Sequence, residues 1–155
     1  METGSRDAVI KKYQAALSLK GDTANGLRIF KAVCATCHNL EGKYGHAFGP
    51  DLGSIRNRDA SSIMTDILNP NRSIAVKFDL WTVTKKNEEK VSGIMASQTP
   101  ASIALNQIGG SQTSVARSAI KTMETSPLSA MPVGLENSIS VQEMADLLAL
   151  LKNSH

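Results

Sequence analysis

The stretch Cys34-Ala35-Thr36-Cys37-His38 holds the only two cysteines of the chain, three residues apart, with a histidine directly after the second. Two thiols at this spacing can bond one edge of a flat group, and the next residue is then held where its ring nitrogen reaches a central metal. This C-x-x-C-H pattern is typical of haem c attachment, in which Cys34 and Cys37 bond the two vinyl groups and His38 binds iron. The sequence therefore predicts one covalently attached haem c with its iron.

Three other uses of the same residues fit less well. A structural zinc site needs four ligands, and His38 is badly placed to share a metal with the adjacent Cys37, which leaves His46 and His155 as the remaining histidines. A thioredoxin-type redox pair requires a βαβ context, whereas this motif ends a predicted helix and enters a glycine-rich loop. Buried thiols without any chemistry are the third alternative.

Composition excludes two classes of protein and supports a cofactor. The 155 residues include 17 Lys and Arg against 14 Asp and Glu, a net charge of +3 that is too small for a nucleic-acid binder or a polybasic membrane binder. No apolar run approaches the ~20 residues of a membrane span. Aromatic residues make up only 4% of the chain. A large flat cofactor would supply the apolar bulk that the core otherwise lacks.

Hydrophobic periodicity and capping residues predict four helices. The first covers residues 6–20 and has Ser5 as its cap, and the second runs from a cap at residues 22–23 to Cys34, interrupted by Gly26. A shorter helix follows at residues 60–68 and ends at Asn69-Pro70. Ser140 and Glu143 form a capping box for the last helix.

The pattern changes from helical to strand-like at Phe78. The run Phe78-Asp79-Leu80-Trp81-Thr82-Val83-Thr84 is rich in aromatic and β-branched residues, and residues 90–97 are predicted to return as the next strand. We predict a small antiparallel β module over residues 78–120. The stretch between Val91 and Ala116 carries no charge. It is either a sheet packed on its own chain or a docking face for a partner.

Together these motifs resemble class I cytochromes c, and more narrowly the haem-binding cytochrome domains at the C-termini of large planctomycete and verrucomicrobial proteins. The resemblance covers nearly everything after Gly21. The motifs that carry it are the helix with Gly26 and Phe30, the C-x-x-C-H, Gly49-Pro50-Asp51-Leu52, Ile67-Leu68-Asn69-Pro70, Ser129-Ala130-Met131-Pro132, and Asp146-Leu147-Leu148.

The resemblance implies a mainly α cytochrome c fold, with helices around a covalent haem and a small antiparallel β insertion before the axial methionine loop. Gly26 is then expected where the first and last cytochrome helices cross, against Leu147 or Leu150. We divide the chain into an N-terminal helix at residues 1–21 and a cytochrome domain at residues 22–155. The apolar stripe of that first helix either packs on the cytochrome or belongs to a neighbouring upstream domain.

A sixth iron ligand must be soft or nitrogenous. Met131 stands between Ala130 and Pro132, and a residue before proline is held extended, so its side chain can project from a fixed backbone. Met123 and His46 remain alternatives. Three other methionines fall on predicted apolar stripes or in a strand, where a thioether usually fills core space: Met64, Met95 and Met144.

The resemblance also implies a role for Pro50, whose carbonyl would accept the second ring N–H of His38 and so set its tautomer. Haem propionates could be held by Arg56, Arg58, Arg72 or Trp81, and the sequence does not choose among them. Exposure to solvent is the ordinary explanation for each arginine.

With His38 and Met131 on the two faces, the iron has no open position, which favours outer-sphere electron transfer over substrate chemistry. We therefore expect an electron-transfer relay and no enzyme activity, with a redox protein or a fused dehydrogenase domain as partner. The alternative is a gas or peroxide sensor in which the sixth ligand is weak or absent. The first residues lack the charged and apolar pattern of a signal peptide. A location outside the cytoplasm, in bacteria the periplasm, is expected because haem c is attached there in the resembled cytochromes.

Overall fold

The computed structural model describes residues 4–153, so His155 lies outside the described residues, as does the side chain of Ser5. Helix α1 spans Gly4–Tyr13 and continues as a 3-10 turn over Gln14–Ser18. The prediction of one helix over residues 6–20 is wrong in its second half. A 3-10 turn repeats every three residues, so it keeps Tyr13 and Ala16, both buried, on the side that faces the core.

The remaining helices begin close to where the capping residues predict. Helix α2 spans Thr23–Ile29 and is extended by a π-helical turn over Phe30–Cys34, while α3 spans Ala60–Leu68 and α4 spans Val141–Asn153. The Asp22 side chain caps α2 by accepting from the backbone N–H groups of Ala24 and Asn25.

The capping box of α4 is confirmed in both directions. The Ser140 hydroxyl accepts from the Glu143 backbone N–H at 3.1 Å, and the Glu143 carboxylate accepts from the Ser140 backbone N–H at 3.1 Å. Two N–H groups at the helix start are thereby satisfied by side chains.

Helices α2 and α4 cross at Gly26, as the resemblance implies. A Cβ on Gly26 would collide with the Asp146 carbonyl oxygen and would lie 3.0 Å from the Leu150 Cβ. The expected contact with Leu150 is confirmed, whereas the backbone opposite the glycine is that of Asp146 and not of Leu147. The buried Asp146 carboxylate joins the same two helices by accepting from the Asp22 backbone N–H at 2.8 Å and from Asn25 Nδ2 at 2.7 Å.

Helix α1 packs on the helical part of the chain. The Arg6 guanidinium donates to the Leu68 carbonyl at 2.9 Å and pairs with Glu136 at 2.6 Å. The Tyr13 hydroxyl donates to the Ile139 carbonyl. The apolar stripe of this helix thus packs on the helical core through the buried Tyr13 and Ala16 and the half-buried Val9 and Ile10, while Leu17 is exposed. The division at residue 21 stays a prediction.

Residues 4–153 contain seven strands, numbered in chain order. A short pair, β1 (Asn39–Leu40) and β2 (Tyr44–Gly45), follows the C-x-x-C-H segment. The other five form one antiparallel sheet in the order β6-β5-β4-β3-β7. They are β3 (Leu80–Lys85), β4 (Lys90–Gln98), β5 (Ser102–Asn106), β6 (Gln112–Ala116) and β7 (Ile120–Thr125).

The predicted antiparallel β module is present, but its sheet begins at Leu80 and extends past the predicted end at Ile120. Strand β7 begins at Ile120 and runs to Thr125, because it pairs with β3 and completes the sheet edge. Because most residues of β7 are polar, the hydrophobic pattern of the sequence did not predict this strand. With five strands in one sheet, the description of the chain as mainly α is not clearly supported.

In the described part of the chain, buried apolar side chains form two hydrophobic cores. The helical core is built around Phe30, Met64 and Leu147, all fully buried. Alternate residues of the sheet form the second core, with Val83, Ile103, Leu105 and Val115 buried and Met95 and Met123 partly buried against them. Ile103, Leu105 and Val115 of the uncharged stretch thus pack on their own chain, while many of its polar residues are exposed. Within residues 4–153, no helix is long and apolar enough to cross a membrane.

Candidate haem site

A cavity of about 600 Å³ lies between the C-x-x-C-H segment, the loop after it, α3, α4 and the loop before α4. Its volume falls in the usual range for cofactor pockets, and most of its wall is apolar. The five predicted site residues Cys34, Cys37, His38, Pro50 and Met131 all line it.

The C-x-x-C-H segment is held by backbone hydrogen bonds at the end of the π-helical turn. The His38 N–H donates to the Cys34 carbonyl at 2.9 Å, which closes a helical turn around the motif. The Cys37 carbonyl in turn accepts from the backbone N–H groups of Phe48 at 3.1 Å and Gly49 at 2.5 Å. Both cysteines and the histidine are therefore fixed relative to the loop that carries Pro50.

The His38 imidazole is oriented by the backbone of that loop. Its Nδ1 lies 2.7 Å from the Pro50 carbonyl oxygen. Burial lowers the pKa of His38, while the hydrogen bond to Pro50 acts in the opposite direction, so the ring is neutral at pH 7. Since a carbonyl can only accept, Nδ1 carries the proton and Nε2 is left as the nitrogen available to a metal ion.

The two thiols are not joined in a disulfide. Burial raises the pKa of Cys34 to about 12, with a smaller contribution from Cys37, and burial also raises the pKa of Cys37. Reactive redox pairs have lowered thiol pKa values, because the thiolate is the nucleophile. These two pKa shifts argue against the thioredoxin-type alternative.

Two glycines make room for His38. A Cβ on Gly49 would lie 2.6 Å from the His38 Cε1 atom, and a Cβ on Gly45 would collide with the His38 carbonyl oxygen. Gly45 also has a φ of +82°, a left-handed conformation that suits glycine. The glycine density of this loop, which predicted irregular structure, thus has a packing reason at these two positions.

Asp51 supports the position of Pro50 and was missed as a site residue by the sequence analysis. Its Oδ1 accepts from the Glu41 backbone N–H at 2.9 Å and from the Gly53 backbone N–H at 2.8 Å. These bonds join the turn between β1 and β2 to the segment directly after Pro50. The sequence signal for this role was the acidic residue directly after Pro50 in Gly49-Pro50-Asp51-Leu52.

Two hydrogen bonds connect the loop that carries Met131 to Asn71. The Met131 N–H donates to the Ser129 hydroxyl at 3.1 Å, and the Ser129 N–H donates to the Asn71 side chain at 2.7 Å. Met131 is partly buried and contacts the helical core at the cavity.

The other candidate sixth ligands lie elsewhere. Met64 and Met144 are fully buried in the helical core, and Met95 and Met123 pack in the sheet core. None of these four lines the cavity, nor does His46, which is exposed and whose backbone N–H donates to the His38 carbonyl at 3.2 Å.

Of the four candidates for holding propionates, Arg58 alone lines the cavity. It pairs with Asp66 at 2.6 Å, and Arg72 pairs with the same carboxylate at 3.3 Å. Arg56 lies 3.9 Å from Glu41, and Trp81 packs against the sheet core.

In the part of the chain that the structure describes, no group of three or more His, Cys, Asp or Glu side chains could hold a metal ion. The cavity instead offers the donors that a haem c requires: two thiols at its wall, a neutral imidazole with Nε2 available, and a thioether. The Gly49 position, which a Cβ would fill, leaves space for the imidazole. The residues present fit a covalently attached haem.

Comparison with known proteins supports this assignment. Residues 23–98 match the cytochrome c family, a range that includes Cys34, Cys37, His38 and Pro50, and ends in β4 before Met131. Cytochrome c of Arabidopsis thaliana is 39% identical over 49 residues, which is 32% of this chain and 44% of that protein. Cytochrome c of Chlamydomonas reinhardtii is 50% identical over 38 residues, 24% of this chain and 34% of that protein.

Cytochrome c of Guizotia abyssinica is 33% identical over 58 residues, 36% of this chain and 52% of that protein. The chain thus spans about half or less of the length of the curated relatives it matches. The matches support a c-type cytochrome, and the similarity to the cytochrome c family implies covalently attached haem c with iron as the cofactor.

Proposed function

We propose that this chain is a mono-haem cytochrome domain that relays electrons, with His38 and Met131 as the two axial ligands of the iron. The observation that carries the proposal is the convergence of both side chains on one apolar cavity, with the His38 tautomer set by the Pro50 carbonyl. Haem iron, when bound, supplies a centre that accepts and releases one electron.

The protein's own residues orient the ligands and exclude water. Pro50 directs Nε2 of His38 toward the cavity by holding the opposite ring nitrogen, and this bond also raises the basicity of the imidazole. Ser129 holds the backbone of Met131. The Met131 thioether would favour ferrous iron and would leave no coordination site for a substrate, which is why we propose a relay in place of an enzyme.

A sensor of a gas or peroxide is the second candidate function. It would require that Met131 bind weakly or not at all. The exposed position of Pro132 and Val133, directly after Met131, is the observation that favours a loop able to move.

The first experiment asks whether the haem is covalent. Protein matured in a host that attaches haem c should keep a mass increase of one haem after denaturation, and Cys34→Ser with Cys37→Ser should lose it. A mass equal to the bare polypeptide in such a host would overturn the proposal.

The second experiment separates relay from sensor. Met131→Ala should lower the reduction potential and allow the reduced protein to bind carbon monoxide, because it removes the thioether. Met95→Ala is the matched control, since Met95 packs in the sheet core, and it should do neither. Ready binding of carbon monoxide by the unmutated protein would favour the sensor. An unchanged potential in Met131→Ala would show that another residue is the ligand.

We propose a redox protein or a fused dehydrogenase domain as the partner, and a location outside the cytoplasm, in bacteria the periplasm. The support is the resemblance to the C-terminal haem-binding domains of planctomycete and verrucomicrobial proteins. The sequence of the full parent protein tests the fusion, and fractionation of the source cells tests the location.

A further inference from the structure

Strand β4 presents neighbouring residues to two different compartments. Ile94 is 3% exposed and lines the haem cavity, whereas Met95, the next residue, packs in the sheet core. Side chains alternate between the two faces of a strand, so the face with Ile94 is turned toward the helical part of the chain. Its cross-strand partners there are Leu80 and Asn106.

A second, more open crevice of about 470 Å³ lies on the same face of the sheet. Ser92, two residues before Ile94, lines it together with Leu80 and Gln107. Serine and glutamine side chains hydrogen-bond water, and the crevice opens to solvent beside the exposed Ile108.

The crevice and the haem cavity share two wall residues, Phe48 and Ala130. Phe48 is 4% exposed. Ile94 is two residues from Ser92 and directly opposite Leu80, both of which line the crevice, and is itself a residue of the cavity wall. Ile94, Phe48 and Ala130 therefore form an apolar partition between an open, polar crevice and the cavity that the axial ligands line.

Such a partition has a direct effect on haem chemistry. Water near the iron stabilises the more highly charged ferric form, because solvation favours charge, and this lowers the reduction potential. An apolar wall that excludes water acts in the opposite direction. Small polar reductants also reach a haem faster when its cavity is open to solvent.

We propose that Ile94 is the residue with which the β module keeps the water of the crevice away from the haem. By excluding this water, Ile94 helps to set the reduction potential of the domain. This rests on the proposed haem in the cavity. It assigns the inserted sheet a role beyond its own core of Val83, Ile103, Leu105 and Val115. It also explains why Ile94 is buried although Ser92, on the same face of β4, lines the open crevice.

The test compares Ile94→Ala with Met95→Ala in the haem-loaded protein. Both variants remove a large apolar side chain from the same strand, but only the first opens the partition. We expect Ile94→Ala to lower the reduction potential and to raise the rate of reduction by ascorbate several-fold. Met95→Ala should lower the unfolding temperature and leave both redox measurements unchanged.

Ile94→Val and Ile94→Thr serve as a second pair that keeps the shape of the partition. They differ mainly in polarity, and the threonine variant should have the lower potential. If Ile94→Ala does not fold, the comparison of these two variants still tests the inference. Equal potentials for valine and threonine, or an equal shift in Met95→Ala, would overturn the inference.

Failure of the inference can be told from failure of the proposed function. If the unmutated protein lacks a covalent haem by mass, the proposed function fails. If it carries covalent haem and a potential that depends on Met131, yet the Ile94 variants match it, the partition alone is refuted.

Discussion

Replacing Gly49 by alanine is the sharpest test of how the protein orients His38. Gly49 is not among the residues with positive φ, so its backbone accepts an alanine without strain. The added Cβ would lie 2.6 Å from His38 Cε1 and 2.9 Å from Nδ1. Non-bonded carbon atoms prefer a separation of about 3.5–4.0 Å, so the ring or the loop must move by about 1 Å.

That displacement is enough to break the bond to Pro50. The His38 Nδ1 to Pro50 oxygen distance is 2.7 Å. An extra ~1 Å exceeds the ~3.2 Å limit for such hydrogen bonds. The loss should reduce the free energy of unfolding by about 0.5–1.5 kcal/mol. A less basic imidazole stabilises ferric iron less, so the reduction potential should rise by about 20–60 mV, equivalent to about 0.5–1.4 kcal/mol.

The assays are a redox titration and chemical denaturation of the haem-loaded protein. Gly42→Ala is the control, because Gly42 has a φ of +72° and a Cβ there would meet nothing within 4 Å. Its backbone strain should lower stability without changing the potential. An unchanged potential in a folded Gly49→Ala protein, or the same shift in Gly42→Ala, would refute the reasoning.

Two further predictions concern carboxylates. Asp51→Ala should raise the reduction potential more than Asp51→Asn. Both variants remove the charge, but asparagine keeps an oxygen that can accept from the Glu41 and Gly53 backbone N–H groups. Equal potentials for the two variants would contradict a positioning role. For Asp146, burial raises the pKa, but hydrogen bonds from Asn25, the Asp22 backbone and Gln142 outweigh burial, so its pKa lies below the ordinary value. Its stabilisation is therefore present above the unfolded pKa of about 3.9 and is lost as pH falls through the lower folded value. In urea denaturation, the free energy of unfolding of Asp146→Asn should fall less below about pH 4 than that of the unmutated protein. If both proteins lose the same free energy, other carboxylates are responsible for the acid sensitivity.

Local patterns in the sequence were sufficient for the features that depend on neighbouring residues. Helix α3 has the predicted bounds because its cap and its terminating Asn69-Pro70 are both adjacent to it. The Ser140–Glu143 capping box formed as predicted for the same reason. The C-x-x-C-H spacing indicated the cofactor, since two thiols and an imidazole within five residues constrain one another through the backbone alone.

Features that join distant parts of the chain required the tertiary structure. Strand β7 is polar and escaped sequence patterning, because it is specified by pairing with β3 and not by its own alternation. Alternation along β4 could separate Ile94 from Met95, but it could not say which face meets the haem cavity. Only packing of the sheet against the helical part decided that, since strand periodicity specifies two faces and tertiary contact specifies what each face covers.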